Sequence, residues 1–264
     1  DTMILATVVS NKEAKENVDF LPLSVDYQEK FASVGRIPGS FFRREARPTE
    51  YEILICRIID RALRPLFPDD YHADTQVVVT LMSSDKNMPP DCLVGFAASA
   101  ALMVSDIPFQ GPISEVRVGK IDGKLVINPS LQDLEKSTFD MIVSGTEKDI
   151  NMVEGEFSEI SEAEMLEAVK FGHDAIKLQC QAQWDLCNQL GGRKPAREYC
   201  HETNDEELRK KIWDLTYDKV YQVAKSGAPK AERSEKFKAI ITEYLDSLTD
   251  EEKAAQSYLA KKYY

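Results

Sequence analysis

Positive charge is scarce in this chain. Its 264 residues carry 33 Lys and Arg against 45 Asp and Glu, a formal net charge of −12. That balance argues against a general nucleic-acid coat, whose phosphate contacts need an excess of cations. A local basic site survives the argument, because a field depends on the distribution of charge as well as its sum. Histidine is scarcer still, with three residues and no metal-ligand spacing. The five cysteines (Cys56, Cys92, Cys180, Cys187 and Cys200) are odd in number and form no CxxC pair. The expectation is reduced, mostly buried thiols and no zinc site. No apolar run reaches the ~18 residues that a membrane-spanning helix needs. No low-complexity tract marks a disordered chain, and no internal repeat is evident. No signal peptide is visible either. The opening Asp1-Thr2-Met3-Ile4-Leu5 already reads as a strand. The chain is therefore expected to lack its natural beginning, and the missing targeting signal carries little weight.

What is present suffices for a sizeable core, since 43% of residues are hydrophobic. Apolar, β-branched or alternating runs predict strands over 2–9, 20–27, 74–83, 113–121, 125–127 and 138–143, with a short one at 151–154. Pro22 keeps the second of these near an edge or a strand start. Gly123 marks a hairpin turn. Thr49-Glu50-Tyr51-Glu52 is a capping box. It opens a helix with Leu54, Ile55, Ile58, Ile59, Ala62, Leu63 and Leu66 on one face, which should stop near Pro65 and Pro68. A helix starting at Pro89-Pro90-Asp91 and running through Leu102 is small-residue-rich and apolar nearly all round, so it should lie buried against a sheet. A second capping box, Ser161 to Glu164, opens a long amphipathic helix ending at Gly191-Gly192. Beyond Pro195 only helices are predicted, over 205–225, 230–247 and 249–263. The organisation expected is an α+β domain over 1–193 followed by an all-α domain over 194–264.

The basic residues that do exist are concentrated. Arg36, Arg43, Arg44, Arg47, Arg57, Arg61 and Arg64 fall within one short stretch without a single lysine among them. Arginine is the better choice for planar, bidentate contacts to phosphate or carboxylate. Arg57, Arg61 and Arg64 stand at i, i+4 and i+7, on one helix face opposite the aliphatic stripe. Such like charges weaken a helix by a few tenths of a kcal/mol unless an anion answers them. Asp60 answers part of it. Upstream, Phe41-Phe42-Arg43-Arg44 sits in a Gly- and Arg-rich loop. Consecutive side chains diverge, so both rings cannot enter the core, and exposed rings beside guanidinium groups suit unstacked bases. A solvated charged face with one anchoring Phe, or a protein–protein interface, remains open on these residues alone.

The order of several runs resembles the bacterial polynucleotide phosphorylase family. They are Phe20-Leu21-Pro22-Leu23-Ser24-Val25-Asp26-Tyr27, Gly35-Arg36-Ile37-Pro38-Gly39-Ser40-Phe41-Phe42-Arg43-Arg44, Arg61-Ala62-Leu63-Arg64-Pro65-Leu66-Phe67-Pro68, Ile107-Pro108-Phe109-Gln110-Gly111-Pro112 and Val143-Ser144-Gly145-Thr146. The resemblance covers residues 1–192 in order, and the helical remainder matches in position and class. It implies a first RNase PH-like domain, a mixed sheet with packed helices, followed by a small all-α domain. It implies phosphorolysis of RNA from the 3′ end, with inorganic phosphate as co-substrate and Mg2+ assisting. A homotrimer, RNA-degradation complex proteins as further partners, no membrane and a cytoplasmic location are likewise implied.

The resemblance assigns the chemistry elsewhere. Where the family's active domain carries a serine-rich phosphate loop, this chain has Met88-Pro89-Pro90-Asp91-Cys92. Of the acidic metal-binding stretch only Asp140 remains, with Ile142 at the lysine position and Leu134 in place of another aspartate. No catalytic or metal residue is therefore expected here. RNA contacts are implied for Phe41, Phe42, Arg43, Arg44, Arg47 and Arg64. Arg36, Arg57 and Arg61 are open between an anion site and structural ion pairs. Two other readings compete: a ring-forming module whose arginines serve trimer assembly, and an independent enzyme with an anion pocket at Arg57, Arg61 and Arg64. His173 is expected to pack or hydrogen-bond, His72 and His201 to be solvated, and Trp184 and Trp213 to pack between helices.

Overall fold

A computed structural model of the chain describes residues 2–15, 18–39, 45, 47–85, 87–201 and 204–264. It divides into two compact units, Asp1–His201 and Glu202–Tyr264. The first unit is α+β, as the residue patterns require. Strand β1 (Met3–Ser10), β2 (Leu23–Glu29) and β3 (Thr75–Ser83) form one sheet in the order β1-β3-β2. β1 runs antiparallel to β3, and β2 parallel to it. A parallel pair needs a crossover, and helix α1 (Glu50–Leu63) supplies it. The second sheet is antiparallel throughout, ordered β5-β4-β6-β7, from β4 (Ser114–Ile121), β5 (Lys124–Ile127), β6 (Phe139–Gly145) and β7 (Ile150–Phe157). Asp122 and Gly123, both at positive φ, make the β4–β5 hairpin turn, the geometry that a two-residue loop favours. β7 extends beyond the short strand expected.

Helix α2 (Val94–Met103) follows a 3-10 turn at Pro90–Leu93 and buries Val94, Ala98, Leu102 and Met103 against the first sheet. Its apolar all-round sequence is explained by being covered on most sides. A single turn, α3 (Leu131–Leu134), precedes β6 and was not expected. Helix α4 (Glu162–Gln189) opens on the Ser161–Glu164 capping box and lays Ala168, Ile176 and Cys180 on the second sheet over Val116, Val118, Met141 and Val143. On α1 the capping box is present, and Ile55, Ile58, Ile59, Ala62 and Leu63 are buried. Leu54, read as part of that stripe, is 51% exposed. It stands at the flank of the apolar arc, facing the hollow described below.

The seam between units falls at His201/Glu202, later than the 193/194 boundary expected. Residues 193–201 are not a free linker. Arg197 donates to the Asp106 carboxylate at 2.6 Å and to the Asn11 carbonyl at 3.1 Å. Tyr199 donates to Asp70 at 2.6 Å and packs edge-on against Tyr71. His72, expected to be solvated, is buried, and its backbone N–H donates to His201 Nδ1 at 3.0 Å. His173 bonds the Thr146 carbonyl at 3.0 Å. Cys92, Cys180 and Cys187 are buried, Cys56 is partly so, and Cys200 is exposed, all as free thiols.

The second unit holds α5 (Glu206–Lys225), α6 (Lys230–Asp246) and α7 (Asp250–Tyr263). Leu208, Ile212, Tyr244 and Ala260 form its small core. Trp184 packs against the main core of the first unit. Trp213 does not pack in a core: it is 59% exposed and stacks on Tyr217.

Candidate nucleic-acid interface

The arginine segment begins where a 3-10 turn, Phe31–Val34, ends on Gly35 at φ 69. The left-handed backbone there needs glycine, and Arg36 follows it, exposed, with its N–H on the Phe31 carbonyl at 2.9 Å. Phe41, Phe42, Arg43 and Arg44 lie outside the described residues. Glu45 accepts from the Phe31 N–H at 2.8 Å. Glu52 closes the other end. One carboxylate oxygen takes the Thr49 N–H at 2.6 Å, while the other takes the Glu29 N–H at 2.8 Å. The capping box thus does more than start α1, because it ties the end of the segment to β2. Arg47 is exposed on the rim of a cleft of about 420 Å³, with Lys30, Phe31, Glu45 and Met88 among its walls.

The helical arginines part company. Arg61 is ion-paired with Glu154 of β7. Arg64 forks onto Asp60 at 2.7 and 3.0 Å and also donates to the carbonyls of Leu21 at 2.9 Å and Leu23 at 3.3 Å. It therefore holds the entry of β2 against the end of α1, whatever else it contacts. Arg57 is exposed, with no ion-pair partner among the described residues. These pairs are at the surface and contribute little to stability, about 0–1 kcal/mol each.

Between α1 and the second sheet lies a hollow of about 350 Å³ that includes Tyr51, Leu54, Asp91, Arg117, Asp140 and Ile142 in its lining. Arg117 is its centre. Strand register pairs Gly119 with Asp140 and Arg117 with Ile142. Arg117 and Asp140 are thus diagonal neighbours on one sheet face, within reach of a long side chain. The guanidinium donates through Nη1 to Asp140 and through Nη2 to Asp91. The Asp91 side chain is 1% exposed and Arg117 12%. Asp91 also accepts from the Cys92 N–H at 2.9 Å, held there by the 3-10 turn before α2. Burial pushes the Asp140 carboxyl up from its ordinary value, and Arg117 opposes that. The two aspartates raise the Arg117 pKa against the effect of its burial.

This arrangement does not fit a divalent metal. Both carboxylates are already engaged by one fixed internal cation, and a metal ion would have to displace it or sit beside it. Among the described residues no group of three or more His, Cys, Asp or Glu is placed to hold a metal. Asp140, the one carboxylate that remains of the acidic stretch, is half of this clamp. Sequence reading missed Arg117 and Asp91. The available signal was an arginine between two inward valines, Val116 and Val118, in a strand whose other face is also covered.

Below the clamp, Glu115 is fully buried, and one oxygen takes the Gly95 N–H at 2.7 Å. Burial pushes its pKa up to about 8. The folded state therefore holds a proton that the unfolded state releases above its ordinary pKa of 4.5. Stability falls as pH rises from that value through about 8. Glu115→Gln should remove this slope. Between pH 5 and pH 9 the variant is expected to gain on the parent by on the order of a few kcal/mol. Denaturant titrations at the two pH values measure it, and parallel pH profiles would show that Glu115 is charged throughout.

Models of the 3′ exoribonuclease family match the chain twice, domain 1 over residues 1–108 and domain 2 over 111–175. Both matches fall inside the first unit. The chain is 54% identical over 265 aligned residues to the polyribonucleotide nucleotidyltransferase of Bacteroides fragilis, covering 100% of this chain and 37% of that protein. It is 51% identical to that of Porphyromonas gingivalis, covering 100% and 35%. Identity to that of Cytophaga hutchinsonii is 52%, covering 100% and 37%. The chain thus spans little more than a third of the length of these curated relatives. No helix among the described residues is long and apolar enough to cross a membrane.

Proposed function

The chain belongs to the 3′ exoribonuclease family, and from that premise we propose that it is the RNA-guiding part of a phosphorolytic 3′-to-5′ exoribonuclease whose chemistry is done elsewhere. The observation that carries this reading is the Arg117 clamp on Asp91 and Asp140. A site that must admit a metal ion and an attacking phosphate needs uncommitted carboxylates and unpaired cations. Here each answers the other. The cations left free to meet RNA are in the arginine segment: Arg36 and Arg47 are exposed on either side of Phe41-Phe42-Arg43-Arg44, and Arg57 is exposed on α1. Arg64 joins them as an RNA contact only through what remains of its donors once Asp60 and the β2 entry are served. Arg61 acts as a structural pair.

In this reading Mg2+ is bound outside the chain, inorganic phosphate is the co-substrate, and single-stranded RNA is the ligand. The assembly is a homotrimer, at work in cytoplasmic mRNA degradation with other RNA-degradation proteins. The direct test offers the chain RNA, phosphate and Mg2+ and measures nucleoside diphosphate release. None is expected at any metal concentration. Turnover that disappears on Asp140→Asn would overturn the non-catalytic reading.

A further inference from the structure

The helical unit carries a hollow of its own, lined by none of the arginine-segment residues. Helix α6 presents Lys230, Arg233, Phe237 and Lys238 along one stripe, and Lys261 and Tyr264 close the far side around a volume of about 460 Å³. The α6 positions are i, i+3, i+7 and i+8, so a single helix face builds the wall. No Asp or Glu is among the residues that line the hollow. None of its four cations forms an ion pair among the described residues, while neighbouring Lys236 is paired with Glu232 at 2.7 Å. In a chain of net charge −12, four unanswered cations around one cavity run against composition.

The cost is also local. Lys230 and Arg233 stand in the first turn of α6, where the helix dipole disfavours cations. The helix begins on Pro229, and no side chain accepts from its first N–H groups. A bound anion would offset the repulsion and take up those donors. The rest of the wall is Ser234 with the apolar Phe237 and Ile241 and the Tyr264 ring. Phe237 and Ile241 are half-buried, and the Tyr264 hydroxyl donates to the Phe237 carbonyl at 2.7 Å, which fixes the second ring. The volume falls in the range of roughly 300–1,000 Å³ typical of small-molecule sites and far exceeds a bare phosphate ion.

We propose that this hollow binds a phosphorylated nucleoside, with its phosphates on Lys230, Arg233, Lys238 and Lys261 and its base against Phe237 and Tyr264. The inference is independent of the RNA path proposed for the arginine segment, and it survives if that path is wrong. The same chemistry can arrive as a free nucleotide or as one nucleotide of an RNA strand. The test titrates the whole 264-residue chain with ADP, with a short oligoadenylate and with pyrophosphate, by calorimetry. Arg233→Gln/Lys238→Gln is expected to weaken ADP binding about tenfold or more, the loss of charge-assisted hydrogen bonds. Lys230→Gln/Lys261→Gln, which leaves the α6 packing face untouched, should do the same. Phe237→Leu should weaken ADP but not pyrophosphate. Saturable binding of oligoadenylate alone, with the same dependence on these variants, assigns the site to RNA and also supports the proposal. Failure of both nucleotides to saturate would overturn it. So would unchanged affinity in both charge variants, or pyrophosphate binding as tightly as ADP.

Discussion

Arg117→Met is expected to destabilise the first unit by about 3–5 kcal/mol, the usual cost of removing one partner from a buried ion pair. Methionine keeps most of the volume, so packing is not what is lost. What is lost is the one positive charge shared by Asp91, whose side chain is 1% exposed, and Asp140. With the guanidinium gone, the Asp140 carboxyl, which burial already pushes up, loses the partner that opposes the rise. The deficit should therefore shrink as pH falls toward the ordinary aspartate value of about 3.9 and widen above it. Melting points should drop by roughly 10 °C at neutral pH. The triple variant Arg117→Met/Asp91→Asn/Asp140→Asn should recover most of the loss, because a neutral replacement of a buried ionic cluster is often near-neutral in stability. A single variant within about 1 kcal/mol of the parent, with no pH dependence, would show that the pair is screened like a surface ion pair and not desolvated.

That clamp also marks where the sequence stops being legible. The capping boxes at Thr49 and Ser161 could be read directly, because their partners sit three residues apart, and a third, Thr249 to Glu252, stands at the start of α7. Most strands were equally open to reading from local apolar patterning, β7 excepted in its length, and the small-residue helix from its composition. Arg117 meets Asp140 only because β4 pairs with β6 in one register, and Asp91 only because a 3-10 turn before α2 aims it inward. Neither fact is local. The same limit explains Leu54. Helical period placed it on the apolar face, but α1 leaves that flank against a hollow instead of a packed layer. It explains the domain seam as well. The segment after Gly192 has no strand or apolar period, yet Arg197 and Tyr199 tie it to Asp106 and Asp70, far back in the chain. Within the arginine segment, spacing put Arg57, Arg61 and Arg64 on one face, but the free cation could not be told from the paired ones until Glu154 was placed opposite Arg61.

Phe41→Ala/Phe42→Ala is expected to weaken binding of single-stranded RNA by at least about 30-fold, since stacking contributes roughly 1–3 kcal/mol per base and two rings are lost. Arg43→Gln/Arg44→Gln should act differently. Each phosphate contact released should flatten the dependence of log affinity on log salt by about 0.7 for a single strand, so the two together by about 1.4. The contrast matters because the chain as a whole carries a charge of −12. A diffuse electrostatic association with RNA would be weak, indifferent to the phenylalanines and abolished by modest salt. A threaded strand gripped by stacked rings keeps most of its affinity as salt rises, and loses it when the rings go. If the double phenylalanine variant binds RNA like the parent, the stacking role fails. If it instead shifts the oligomeric state seen by light scattering while RNA affinity stands, the segment serves assembly, and the arginines beside it are interface residues.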